Sequence, residues 1–393
     1  MARSTSADAQ AQIRTTDRFY RPELDVLRFV AFLGVFFFHL KPHFVSPESI
    51  AHANGSAQAL LLRLCRDVFS AGAFGVDLFF VLSAYLITEL LLREKAKLGS
   101  LDVRAFYIRR ILRIWPLYFF FIGLAWTLQF FVPGQVLGWH YVVAFLLMSG
   151  NWICAIHGLP ASVALPLWSV SVEEQFYLLW PLVVRRASLR FMQVAAVGAL
   201  IVATAVLFYL LSVHAGQSMF LYNTFIRFDG IALGIFVSLF LHGRIPSFST
   251  GSRVLLGVFG VLGLLLASDL LDGLDSNLSP RFLSGLIAFP AAGVASVLVL
   301  LCFLGLPLQE WRLVRGLRLV YLGTISYGLY VYHYLALLLA RKIIGALDAR
   351  LYGPYIVLGL ALTISLALVS YYVLERPFLH LKARFTHLPS RQE

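Results

Sequence analysis

The sequence predicts an all-α fold: a polytopic transmembrane helix bundle of about ten crossings plus one re-entrant or interfacial segment, with both termini cytoplasmic. Three observations predict it. The first is composition: 393 residues, 60% hydrophobic and only 13% charged, with a mean hydropathy of +0.81. A soluble chain carries about 25% charged residues. The second is a series of long apolar segments with no sheet signature, and lipid cannot satisfy an open backbone, so the spans are helices. The third is the placement of Lys and Arg in short clusters between those segments, as topology determinants are placed.

Eleven apolar segments lie near 26–44, 69–92, 114–132, 141–154, 172–184, 191–211, 225–242, 254–271, 284–304, 320–340 and 355–375. Basic clusters occupy 3–28, 93–113, 185–190, 244–253, 312–318 and 376–391, whereas 133–167 and 212–224 contain no Lys or Arg. Placing every basic cluster inside puts 24 of the 32 Lys and Arg in the cytoplasm. That arrangement requires residues 141–184 to cross once in total. Either 141–154 or 172–184 is then re-entrant, interfacial or half of a broken span, which is tolerated where it lines a cavity. Polar tails at 1–22 and 379–393 flank one transmembrane domain at 23–378. The first apolar run lacks a small-x-small cleavage site after it and reads as a retained span.

The net charge of +12 belongs to this topology and to membrane lipid, and no basic module points to nucleic acid. Cys65, Cys154 and Cys302 show neither metal-ligand nor C-x-x-C spacing, so no metal and no disulfide framework is expected.

Several polar side chains interrupt the apolar faces. Arg28 and His39 sit eleven residues apart in LRFVAFLGVFFFHL, close to three helical turns. They share one face about 16 Å apart along the axis. An ionisable group at membrane depth marks a site by default, although Arg28 also suits a cytoplasmic anchor and His39 a packed core position. In FGVDLFFVLSAYLITELLL, Asp77 reads as an interface or substrate residue near the outer end, and Ser83 as bonded to its own helix backbone. The stretch SLDVRAFYIRRILRIWP reads as an amphipathic helix on the cytoplasmic face. Its Arg109, Arg110 and Arg113 cluster at i, i+1 and i+4, suited to anionic lipid or to a phosphate-bearing donor.

The stretch PLWSVSVEEQFYLLWP sets Glu173 and Glu174 behind Trp168. A carboxylate there lines a cavity as a base or an imidazole partner, or caps the helix start, a reading kept more readily for Glu174. Arg227 and Asp229 in IRFDGIALG pair with each other or line an acceptor cavity. Tyr327, Tyr330 and His333 form a polar, aromatic stripe suited to a sugar-binding wall or to helix packing. Glu375 in ERP closes the last span.

Taken together these segments resemble the acyltransferase-3 family of integral membrane acyltransferases. The resemblance is carried by LDVLRFVAFLGVFFFHL, FGVDLFFVLSAYLI, FYIRRILRIWPLY, LWSVSVEEQFYLLWP, RFDGIALG, GTISYGLYVYH and LERPF, seven pieces in family order across most of the chain. Ala84-Tyr85 departs from the family's usual Gly-Phe, a difference expected to touch packing or acceptor fit.

The resemblance implies transfer of an acyl group, usually acetyl, from cytosolic acyl-CoA to a sugar hydroxyl at the plasma membrane, the bacterial inner membrane. The acceptor would be surface polysaccharide, its lipid-linked precursor or a small glycosylated metabolite. Arg28 and His39 match the family's arginine-ten-residues-histidine motif, Arg110 and Arg113 its R-x-x-R motif, and Glu173 the carboxylate of W-S-x-x-x-E. On that basis Arg109, Arg110 and Arg113 would hold the donor's phosphates, and Arg28 would guide its thioester end. His39 would be general base or transient acyl carrier, with Glu173 orienting it. Asp77, Trp168, Arg227, Asp229, Tyr330 and His333 would contact the acceptor. Some relatives add an extracytoplasmic esterase-like domain. This sequence shows none, so the chain would act alone or pass its acyl group to a separate extracytoplasmic transferase. A secondary transporter is the rival class, disfavoured by the lack of paired inverted repeats.

Overall fold

The computed structural model describes residues 20–44, 55–271, 281–345 and 352–386. All regular structure among them is helical. The polar tails expected at 1–22 and 379–393 are only partly inside this range: residues 1–19 and 387–393 lie outside it.

Helix α1, Pro22–Phe44, starts with Pro22 and carries Glu23 and Asp25 in its first turn, where proline costs no hydrogen bond and the helix dipole favours negative charge. Helix α2, Ser56–Ala71, passes through a 3-10 turn at Gly72–Phe74 into α3, Gly75–Leu98. Gly99, in the left-handed region at φ 72°, ends α3. Helix α4, Val103–Leu128, begins where the Asp102 side chain accepts from the Ala105 N–H at 2.9 Å. It continues through Pro116, whose flanks are held by buried Leu117, Tyr118 and Phe121.

This corrects one expectation. The basic segment is not a separate surface helix: Arg93, Lys95 and Lys97 finish α3, and Arg109, Arg110 and Arg113 lie in the first three turns of a 26-residue helix.

The irregular element predicted within 141–184 falls at its start. Helices α5, Trp139–Leu146, and α6, Gly150–His157, have eight residues each. Each is about 12 Å long, too short to cross a bilayer. They break at Met148, which has φ 53°. Helix α7, Leu167–Arg186, is a continuous 20-residue helix, so 172–184 belongs to a through helix.

Helices α8, Leu189–Ser212, α9, Gln217–Tyr222, α10, Thr224–Leu241, α11, Thr250–Leu270, and α12, Phe282–Phe303, follow. After short helices α13, Arg312–Gly316, and α14, Leu319–Thr324, come α15, Ser326–Ile344, and α16, Tyr352–Ser370. A π-helical turn at Tyr371–Glu375 leads into α17, Arg376–Ala383, which returns against α4.

Seven helical stretches among the described residues are long and apolar enough to cross a membrane. Helices α1, α7 and α15 are not among them, although they have 23, 20 and 19 residues. Their apolar run is diluted by Glu23, Asp25 and Arg28, by Glu173 and Glu174, and by a tyrosine-rich start with a basic end.

Helix α3 is the spine, packed against α1, α7, α10 and α12. Close approach depends on small residues, as is usual where no water drives helices together. A Cβ at Gly234 of α10 would strike the Val81 carbonyl and come within 2.9 Å of the Ala84 Cβ. The small Ala84 is therefore a packing residue, as the departure at that position suggested.

Candidate functional site

Five helices bring their polar residues to one cavity. Its lining includes Arg28 from α1, Ser83 from α3, Arg110 and Arg113 from α4, Glu173 from α7 and Tyr330 from α15. It encloses about 770 Å³ of empty space counted to its open mouth. Arg28, Ser83, Arg110 and Arg113 also line a second, adjoining cavity that reaches Tyr20, Arg21 and Asp25.

The arginines differ in their commitments. Arg28 is paired with Asp25, one turn earlier on α1, at 2.6 Å, so it is held towards the cavity and is not simply extended as an anchor. Arg110 lies over the Phe106 and Tyr177 rings at 5.5 and 5.2 Å, with no carboxylate in ion-pair range among the described residues. Arg113 reaches the same two cavities. Arg109 turns the other way. It is buried, paired with Glu94 at 2.6 Å, and donates to the Phe385 carbonyl at 2.8 Å. Its charge is thus answered within the protein and ties α4 to α3 and to the chain after α17.

Glu173 sits beside Ser83 and Tyr177, whose hydroxyls are hydrogen bonded to each other. Ser83 therefore reaches across to α7 and does not bond its own helix backbone, correcting that expectation. Glu174 does not cap its helix: it lies in the second turn, and its Oε2 accepts from Trp115 Nε1 at 3.1 Å.

His39 is not beside Glu173 in the way expected. Among the described residues neither makes a hydrogen bond or ion pair with the other. The group against His39 is His333, with ring centroids 5.0 Å apart and planes 12° apart. Tyr334 meets His39 edge-on at 5.5 Å. Neither histidine is in the cavity lining; Tyr330, whose ring lies 5.7 Å from that of His333, is, and its hydroxyl bonds Ser169 Oγ at 2.7 Å and the Pro166 carbonyl at 3.2 Å. Tyr327 donates to the Ile114 carbonyl at 3.1 Å, linking α15 to α4.

The other residues expected at the acceptor form a separate cluster. Asp77 and Arg227 make an ion pair at 2.8 Å and are only 3% and 5% exposed. Arg227 also donates to the Leu221 carbonyl at 2.7 Å and lies 5.7 Å from the Trp168 and Phe289 rings. Arg227 thus pairs across helices with Asp77, and not with Asp229. The Asp229 carboxylate accepts from the Gly230 N–H. Trp168 packs on Tyr222 and Phe80.

Sequence reasoning missed Asp25, Glu94, Tyr177 and the His39–His333 contact. Asp25 carried a signal, being three residues before Arg28 on a helix. The others meet only through tertiary packing.

The acyltransferase domain family model matches residues 21–373 of the chain. Among known proteins, the chain is 29% identical over 400 residues to "Putative peptidoglycan O-acetyltransferase YrhL" of Bacillus subtilis, covering 93% of this chain and 56% of that protein. It is 27% identical over 386 residues to "Peptidoglycan O-acetyltransferase OatA" of Listeria monocytogenes, covering 93% and 57%. The chain thus spans little more than half the length of these curated relatives. No solved structure matches.

Proposed function

We propose, for a chain that belongs to the acyltransferase-3 family, that it moves an acetyl group from cytosolic acetyl-CoA to a carbohydrate hydroxyl across the bacterial inner membrane. The acceptor is a surface polysaccharide or its lipid-linked precursor. The names of the relatives favour the glycan of peptidoglycan.

One observation carries this reading. Arg28, Arg110 and Arg113 line one cavity, and Arg28 shares a helix face with His39, eleven residues on. Arginine forks suit phosphate oxygens, so Arg110 and Arg113 bind the donor's phosphates while Arg28 guides the thioester end. His39 takes the proton from the acceptor hydroxyl, whose oxygen attacks the acyl carbon. The C–S bond breaks, and the departing thiolate collects that proton from the imidazolium. Arg109 acts in this scheme by fixing α4 and not by touching phosphate, since Glu94 holds it. Glu173 lines the donor cavity and does not orient His39.

A ten-crossing topology with both ends in the cytoplasm fits this reading. Seven stretches are apolar enough to cross, and α1, α7 and α15 are long enough to make ten.

The test is transfer of labelled acetyl from acetyl-CoA to a chito-oligosaccharide by the full chain in lipid vesicles. His39→Ala is expected to lower transfer about 10²- to 10⁴-fold with the unfolding temperature unchanged. Wild-type transfer by His39→Ala would remove the reading.

A further inference from the structure

His333 is fully buried, at 0% exposure, and its two ring nitrogens are in opposite situations. Nδ1 is hydrogen bonded to the Tyr330 carbonyl. A carbonyl only accepts, so Nδ1 carries the proton and Nε2 presents a lone pair. Among the described residues that Nε2 has no hydrogen-bond partner. A buried acceptor without a partner is costly and calls for an explanation.

His39 has the complementary deficiency. Among the described residues it makes no hydrogen bond, although an imidazole that removes a proton from a hydroxyl needs its second nitrogen held by an acceptor. The two rings lie almost parallel, 12° apart, and among the described residues no hydrogen bond joins them. Their separation is nevertheless right for a bond. A nitrogen lies about 1.2 Å from an imidazole centroid and a hydrogen bond spans about 2.9 Å, giving about 5.3 Å between centroids when both nitrogens lie on the line joining them. The observed distance is 5.0 Å. At this separation a bond between the rings is a matter of ring orientation and not of helix position.

We propose that His333 is the positioning residue of His39: its Nε2 accepts the His39 N–H when the His39 ring turns edge-on, leaving the other His39 nitrogen to take the acceptor's proton. This rests on the acyl-transfer reading and replaces the place in a sugar-binding wall expected for His333. The proton ledger is simple. His333 keeps its proton on Nδ1 against Tyr330, and His39 keeps the proton it shares with Nε2. The only proton that travels is the one from the hydroxyl, which His39 passes to the leaving thiolate.

Two amide replacements separate the two nitrogens. In His333→Gln the side-chain amide reaches the Nε2 position and its oxygen can accept from His39. In His333→Asn the amide reaches only the Nδ1 position. The full chain in vesicles is assayed with acetyl-CoA and chito-oligosaccharide, with the unfolding temperature of each variant measured. His333→Asn is expected to lower kcat about 100-fold, and His333→Gln no more than about 10-fold, with both KM values within about twofold of wild type. Equal kcat in the two variants would overturn the proposal, as would a raised acceptor KM with kcat intact. Because the comparison is between two polar variants of similar fit, it does not depend on an alanine variant folding. His39→Ala run in parallel tells the two failures apart. If that variant still transfers acetyl, it is the acyl-transfer reading that fails.

Discussion

The Asp77–Arg227 pair and the Arg28–Arg110–Arg113 set both place charge among apolar helices, and they are built differently. Asp77 and Arg227 answer each other at 2.8 Å, and a carbonyl and two aromatic faces take up the rest of the guanidinium. In the arginine set three cations line a shared cavity; Asp25 engages Arg28 at 2.6 Å, and Glu173 lines the same cavity. The same residue types thus make a buried tie in one place and line a cavity in the other. The difference lies in what surrounds the charge: a buried pair closed by a carbonyl and two rings in one place, an open cavity in the other.

The comparison can be tested from its strongest side downwards. Asp77→Ala leaves Arg227 buried without its partner, and is expected to cost about 3–5 kcal/mol of stability. A fall in unfolding temperature in detergent, largely restored by adding Arg227→Met, would confirm the structural tie. A loss of acceptor binding at unchanged stability would break the contrast. Arg113→Ala is expected to do the opposite. It should weaken acetyl-CoA binding by about 1.5–3 kcal/mol, the usual value of a hydrogen bond to a charged group, with little change in unfolding temperature. Donor KM against acceptor KM reads this directly.

Gly234→Ala tests the scaffold between the clusters. Its new methyl would meet Val81 and Ala84, so about 1–3 kcal/mol of destabilisation is expected from overpacking, again in unfolding temperature. The smallest effect is expected from Tyr327→Phe, which removes one bond to the Ile114 carbonyl and about 0.5–1.5 kcal/mol.

Much of this was legible in the sequence because it is local. The helix class follows from the apolar segments. The shared face of Arg28 and His39 follows from the spacing alone, and so does the break in the 141–184 region, which follows from the charge distribution. What could not be read is pairing between distant segments. Arg109, Arg110 and Arg113 look equivalent in the sequence, yet Glu94 at a 15-residue separation removes Arg109 from the set. Arg227 has an aspartate two residues away and bonds another 150 residues off. His39 was matched to Glu173, whereas packing sets it against His333, 294 positions along the chain. Local periodicity says which face a side chain occupies and is silent on what that face meets.

Helix α1 is pinned along its length. A Cβ on Gly323 would strike the Asp25 carbonyl, one on Gly75 the Ala31 carbonyl, and one on Gly72 the Gly34 carbonyl. Backbone abuts backbone at three levels, from beside Arg28 to within two turns of His39. A rod notched in this way has no axial stroke. It behaves as a fixed gauge that holds its two functional marks at constant depth, so the distance between them must be covered by the cargo and not by the carrier.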